Sequence, residues 1–183
     1  MCYNFFMNLT QRGNNVLSNV LGHYTQLEVV SGKGAYLIAA DGKKYLDFAS
    51  GIAVTNTGHR QPKIIKAAKA QLDKIIHNCA GVTYNETNIA CAEKIQSIVP
   101  IKESRIFFTQ SGSESVEGAL KAAKFAGQKD GIIALKNGFH GRTMGALSVT
   151  SSKEHYRSGY GELMPNTYFA DHNMESIKKL NNG

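Results

Sequence analysis

The sequence predicts an α/β fold with a mostly parallel sheet, and three observations carry that prediction. From Arg105 the chain runs apolar strand, polar turn, helix, apolar strand. In such a unit the helix returns the chain, so the two flanking strands run parallel. Ahead of it, apolar residues recur at helical spacing behind Pro62. Earlier still, Asp41-Gly42 separates two strand-like runs, the mark of a hairpin.

Taken in order, residues 1–30 read as a flexible start followed by a short helix or extended arm. Gly34 to Ala40 and Lys43 to Phe48 flank Asp41-Gly42, where a type I′ turn places both central residues at positive φ. Gly51 to His59 is a glycine-bearing loop leading to Pro62, which suits the first turn of a helix carrying Ile65, Ala68, Leu72 and Ile75. A second helix is expected over Glu86–Ile98, stopped near Pro100. Ile106 to Thr109 reads as a short buried strand, Ser113 to Ala126 as a helix ending at Gly127, and Gly131 to Leu135 as the next strand. A helical stretch follows Thr143, then a turn-rich region, a strand over Asn166–Ala170 and a helix from Ser176.

Composition narrows the partners. The 183 residues suit one compact domain or part of something larger. Twenty-one Lys and Arg against 14 Asp and Glu give a net charge of +7. Lys63, Lys66, Lys69 and Lys74 lie spread along a predicted helix. Nucleic-acid binders instead cluster basic charge with exposed aromatics, so the lysines suit a solvated face and attraction of small anions. Cys2, Cys79 and Cys91 show no metal-ligand spacing and read as free thiols of a reducing compartment. No stretch approaches the roughly 18 apolar residues of a membrane span, and the start lacks a signal peptide's basic flank. A cytoplasmic protein with no metal, membrane or nucleic-acid partner is expected.

The chemistry concentrates in two segments. In Phe107-Phe108-Thr109-Gln110-Ser111-Gly112-Ser113-Glu114, an apolar run ends in a polar turn that opens into a helix. Unpaired N–H groups and the positive end of the helix dipole then face whatever lies above the turn, and phosphate is the natural guest. Gly112 permits close backbone approach. Plain capping by Ser113, with Glu114 and Glu117 in the first turns, explains the same spacing equally well. The turn carries no Walker lysine and does not match G-x-G-x-x-G. One strand later, Asn137 to Thr143 offers the flat face of Phe139 and the guanidinium fork of Arg142, which matches a carboxylate. The alternatives are a core phenylalanine and a surface ion pair. His59 and His140 have no carboxylate or serine at motif spacing and read as loop histidines, and Ser176-x-x-Lys179 lacks the companion motifs of a serine–lysine pair.

These residues also carry a resemblance. Gly34-Ala35-Tyr36-Leu37, Asp41 to Phe48, Gly51-Ile52-Ala53-Val54 and Asn56-Thr57-Gly58-His59 resemble the opening of class III aminotransferases. Ser111-Gly112-Ser113-Glu114 with Glu117 and Ala119-Leu120-Lys121, then Gly138 to Thr143, are similar to the family's middle motifs in order and spacing. Gly51 to His59 most resembles the 4-aminobutyrate enzymes, with acetylornithine and ornithine aminotransferases next. The resemblance implies part of a type I pyridoxal-phosphate transferase fold. Residues 1–60 would form the arm and hairpin of the small domain, and 61–183 the first part of the large, mostly parallel-sheet domain.

It implies further that pyridoxal 5′-phosphate is the cofactor. Gly112, Ser113 and Ser111 would hold its phosphate, Phe139 would stack on its ring, Arg142 would receive a substrate carboxylate and Ile52 would line the substrate pocket. The activity implied is amino transfer from an ω-amino acid to a keto acid such as 2-oxoglutarate, in a homodimer. The family's Schiff-base lysine and the aspartate that partners the pyridine nitrogen have no counterpart in these residues. The chain is therefore expected to be the first part of a longer protein. On its own it would be a fragment of low stability without a catalyst, at most a phosphate-ligand binding module or one half of a two-chain enzyme.

Overall fold

The computed structural model describes residues 7–20 and 22–181 and resolves into two compact units, Met1–Asn85 and Glu86–Gly183. The flexible start and Cys2 lie outside the described residues, so that part of the reading has no counterpart here.

In the first unit, α1 (Leu9–Val16) opens on a reciprocal cap. Asn8 Oδ1 accepts from Gln11 N at 2.8 Å and Gln11 Oε1 accepts from Asn8 N at 3.0 Å, satisfying two amides the helix leaves unpaired. Strands β1 (Val29–Lys33), β2 (Tyr36–Ala39) and β3 (Lys44–Leu46) form an antiparallel sheet in that order. The hairpin falls where Asp41-Gly42 predicts it, but its turn differs. Ala39 O accepts from Gly42 N, and Lys43 O accepts from Ala39 N, both at 2.9 Å. Gly42 is at φ 80°, whereas Asp41 is not at positive φ. The turn is thus type I with a glycine bulge rather than I′, and Asp41 Oδ1 is left to accept from Lys43 N at 3.0 Å. Strand β1 carries little sequence signal, only Val29-Val30, and a bulge between Val29 and Ser31 breaks its alternation. Next come a single four-residue turn, α2 (Ser50–Ala53), and α3 (Pro62–Leu72). Pro62 occupies the first turn of α3, and Gln61 caps it by accepting from Ile64 N at 3.0 Å.

The second unit contains α4 (Glu86–Gln96), α5 (Gly112–Gly127), β4 (Ile132–Leu135), α6 (Met144–Ser148), a 3-10 turn (Glu154–Tyr156), β5 (Thr167–Ala170) and α7 (Met174–Asn181). β4 and β5 pair in parallel from Ile132↔Thr167 to Leu135↔Ala170, whereas the parallel pairing expected from the strand–helix–strand rhythm was between Ile106–Thr109 and β4. The strand expected over Ile106–Thr109 does not form. Among the described residues no strand pairs with it, and Phe107 instead lies against Gly118 of α5, where a Cβ would meet its ring at 3.3 Å. An apolar run supplies a strand's side chains but not its ladder partner. The buried centre of this unit is Ala134, Ala146, Leu147, Val149 and Ala170, with Ser148 and Thr150 among them. Among the described residues, no helix is long and apolar enough to cross a membrane.

Candidate functional site

The turn expected to seat a phosphate folds as a capped helix start, with one exchange of roles. Ser111, in extended backbone, is the N-cap, and its Oγ accepts from Glu114 N at 3.2 Å. Ser113, expected as the cap, is already inside the helix. Glu114 reaches back to accept from Gln110 N at 2.7 Å. Thr109 Oγ1 donates to Ser111 O at 3.1 Å and lies 2.6 Å from Ser115 Oγ, so the approach to the helix is tied down from both sides. The amides of Gly112 and Ser113 meet no acceptor among the described residues. A Cβ built on Gly112 finds nothing within 4 Å, so the backbone there is open to an incoming group. Two free N–H donors at the positive end of a 16-residue helix form a seat for an anion.

The second segment is a tightly closed loop. Gly138 O accepts from Ser151 N at 2.8 Å and from Ser152 N at 3.1 Å. His140 N donates to Thr150 Oγ1 at 3.0 Å, and that buried hydroxyl lies 3.2 Å from Gly141 O and 2.9 Å from Ala146 O. Phe139 meets Tyr156 in a T-shaped contact at 5.5 Å, yet 55% of its surface stays exposed, so it is not a core residue. Arg142 is exposed, and its side chain makes no ion pair among the described residues.

Helix α5 brings the two segments together. Ser113 Oγ accepts from Arg142 N at 3.3 Å. One turn on, Glu117 Oε1 accepts from Gly145 N at 2.9 Å and from Ala146 N at 3.3 Å. The Thr143 hydroxyl hydrogen-bonds the same carboxylate and, with those two amides, holds it below the usual carboxylate range. Glu117 was legible in the sequence only as an acidic residue in the first turns of a helix, because its partners lie 28 and 29 residues away.

Ile52 belongs to the first unit, in an unusual setting. Ser50, Gly51, Ile52 and Ala53 have φ of 48°, 60°, 65° and 62°, so α2 is left-handed. Such backbone is unfavourable for L-residues, most of all for a β-branched one. Its surroundings hold it there. Asp47 Oδ1 accepts from Ser50 N at 2.8 Å, and Ser50 Oγ lies 2.8 Å from Thr55 Oγ1. Asp47 Oδ2 lies 2.8 Å from His59 Nε2, and Asp47's side chain is only 6% exposed. His59 therefore does have a carboxylate partner, which the sequence hid because the two are twelve residues apart. The hydrogen bonds from His59 and then from the Ser50 amide keep the Asp47 carboxyl below its usual range. Among the described residues, no group of three or more His, Cys, Asp or Glu is placed to hold a metal ion.

Comparison with known proteins gives a consistent result. The family model for class-III aminotransferases matches residues 18–183. The chain is 38% identical to an alanine/serine racemase of Pyrococcus horikoshii, covering 88% of this chain and 34% of that protein. It is 35% identical to a probable 4-aminobutyrate aminotransferase of Bacillus subtilis, over 87% and 37% of the two chains. With an acetylornithine aminotransferase of Archaeoglobus fulgidus the identity is 39%, over 88% and 43%. Among solved structures, a transaminase from the marine bacterium Virgibacillus superposes with a TM-score of 0.85 at 26% identity, covering 95% of this chain and 43% of that one. An omega transaminase of Pseudomonas jessenii in complex with PMP superposes with a TM-score of 0.80 at 24% identity, over 90% and 39%. The chain thus spans 34 to 43% of the length of these curated relatives.

Proposed function

This chain belongs to the class III aminotransferases, a family of pyridoxal-phosphate-dependent enzymes, and we propose that it carries the phosphate seat, ring-stacking face and carboxylate contact of an ω-amino-acid transaminase. The observation that carries this reading is the pair of unpartnered amides at Gly112 and Ser113, on a helix that also hydrogen-bonds the loop bearing Phe139 and Arg142. The open space at Gly112 and the exposed ring of Phe139 fit a phosphorylated planar group.

Each residue has a part in that proposal. Gly112 and Ser113 would donate N–H groups to the cofactor phosphate, with Ser111 beside them. Phe139 would cover one face of the ring. When bound, pyridoxal phosphate supplies an electron sink that lets nitrogen pass between an amino donor and a keto acid. Arg142, whose guanidinium is unengaged among the described residues, would clamp the carboxylate of that donor or of an acceptor such as 2-oxoglutarate. Ile52, 89% exposed on its left-handed turn, would form a wall of the substrate pocket. The donor proposed is 4-aminobutyrate-like, and the proposed assembly is a cytoplasmic homodimer. Residues 1–60 are assigned to the arm and hairpin and 61–183 to the cofactor-binding domain.

A panel of amino donors on the full-length protein, with 2-oxoglutarate as acceptor, tests this reading. Arg142→Ala is expected to raise KM for carboxylate substrates about 10- to 100-fold, the effect of one charge-assisted hydrogen bond. Unchanged kinetics with every carboxylate substrate would remove Arg142 from the site. The racemase relative supports a second reading, in which a proton is removed and returned without net amino transfer. Inversion of L-alanine with no keto acid present would favour it.

A further inference from the structure

We propose that Glu117 is a positioning residue for the cofactor, its carboxylate fixing the loop that carries Phe139 and Arg142 onto the helix that carries the phosphate seat. This rests on the cofactor reading above. Ser113 and Glu117 are four residues apart on α5, hence on one face of the helix, and both reach the same loop. Ser113 Oγ accepts from Arg142 N at 3.3 Å, while Glu117 accepts from Gly145 N at 2.9 Å and Ala146 N at 3.3 Å. The loop approaches the helix closely at both contacts. A Cβ at Gly145 would lie 2.9 Å from Glu117 Cδ, and one at Gly141 would lie 2.8 Å from Ser113 Cβ.

The loop is closed on itself through Gly138 and Thr150, so its internal shape does not depend on α5. Its seating against the helix does. A cofactor held at one end by the seat and along its face by Phe139 needs those two groups in fixed register. A negative charge shared by two backbone amides gives a stiffer grip than the single Ser113 contact. Glu117 touches no part of such a cofactor and acts through the loop.

The two-ended geometry provides a test that separates positioning from general structural support. Full-length protein stripped of cofactor is titrated with pyridoxal 5′-phosphate and, separately, with inorganic phosphate, as wild type, Glu117→Gln and Glu117→Ala. Amide hydrogen exchange is followed at Gly145, Ala146 and along α5. Glu117→Ala is expected to weaken pyridoxal phosphate binding about 10- to 100-fold, with inorganic phosphate affinity unchanged. Exchange should quicken at Gly145 and Ala146 but not along α5. Glu117→Gln keeps an acceptor oxygen and should fall between the two. Unchanged pyridoxal phosphate affinity would overturn the proposal, as would equal loss of phosphate affinity or exchange quickened throughout α5. Should Glu117→Ala not fold, Glu117→Gln is judged by the same readouts. Wild-type protein that takes phosphate but not pyridoxal phosphate would sink the cofactor reading instead, leaving the exchange at Gly145 and Ala146 to decide the grip alone.

Discussion

Ile52 has φ 65° and ψ 58° inside a left-handed turn, and its side chain gains little burial in return, being 89% exposed. Strain of this kind persists where neighbours over-determine the backbone and collects at functional sites. Ile52→Gly should therefore raise the stability of the full-length protein by about 0.5–1 kcal/mol, read as a higher urea midpoint, while removing a proposed pocket wall. Asp47 makes a complementary prediction. Its folded-state carboxyl titrates below the unfolded value because His59 and the Ser50 amide hydrogen-bond it. The stability it contributes is present above the unfolded value and is lost as pH falls from about 4 through the folded value. Urea midpoints between neutral pH and pH 3 should fall less steeply for Asp47→Asn than for wild type, and matching slopes would contradict the assignment. Little of this residue-scale detail was legible in the sequence. Positive φ at Ile52 has no composition signal, and the Asp47–His59 pair is made by chain return rather than by spacing.

Among the elements, what proved readable was what is locally encoded. Pro62 at the start of α3 and the apolar run of β4 each state their own conformation, and Asp41-Gly42 marks where its hairpin falls but not its turn type. What was misread depends on a partner elsewhere. Ile106–Thr109 looks like a strand but has no ladder among the described residues, and Ser113 looks like a cap but turns to Arg142. The coupling of α5 to the loop also explains why Gly141 is a glycine. Its φ is 135°, and a Cβ would crowd Ser113 Cβ at 2.8 Å and Ala146 Cβ at 3.0 Å. Gly141→Ala is expected to cost about 1–3 kcal/mol of stability through overpacking and strain, measured by denaturant unfolding. A neutral result would mean that the loop is not held as tightly as these contacts imply.

At the scale of the molecule, burial among the described residues is sparse. Among the described residues the buried apolar side chains are Ala39, Ala134, Ala146, Leu147, Val149 and Ala170, whereas Phe48, Tyr84 and Phe125 are each at least 87% exposed. Parallel sheets normally have both faces covered, and here β4 and β5 form a two-stranded pair with Ile133 and Leu135 still 36% and 39% exposed. The 183-residue chain alone should therefore melt broadly and self-associate. A monomeric, cooperatively melting product in sizing chromatography and calorimetry would contradict this. The fold class and the candidate seat were both legible in the sequence, the seat because Ser111-Gly112-Ser113 ends a run of apolar residues at a helix start. The grip that registers the seat with Phe139 was not, since it joins positions 28 and 29 residues apart. The most direct test of the phosphate seat is a crystal structure of the full-length protein grown with pyridoxal 5′-phosphate. The phosphate is expected within hydrogen-bond distance of the Gly112 and Ser113 amides, with the ring lying against Phe139. Phosphate density away from that helix start, or a ring that leaves Phe139 uncovered, would contradict it.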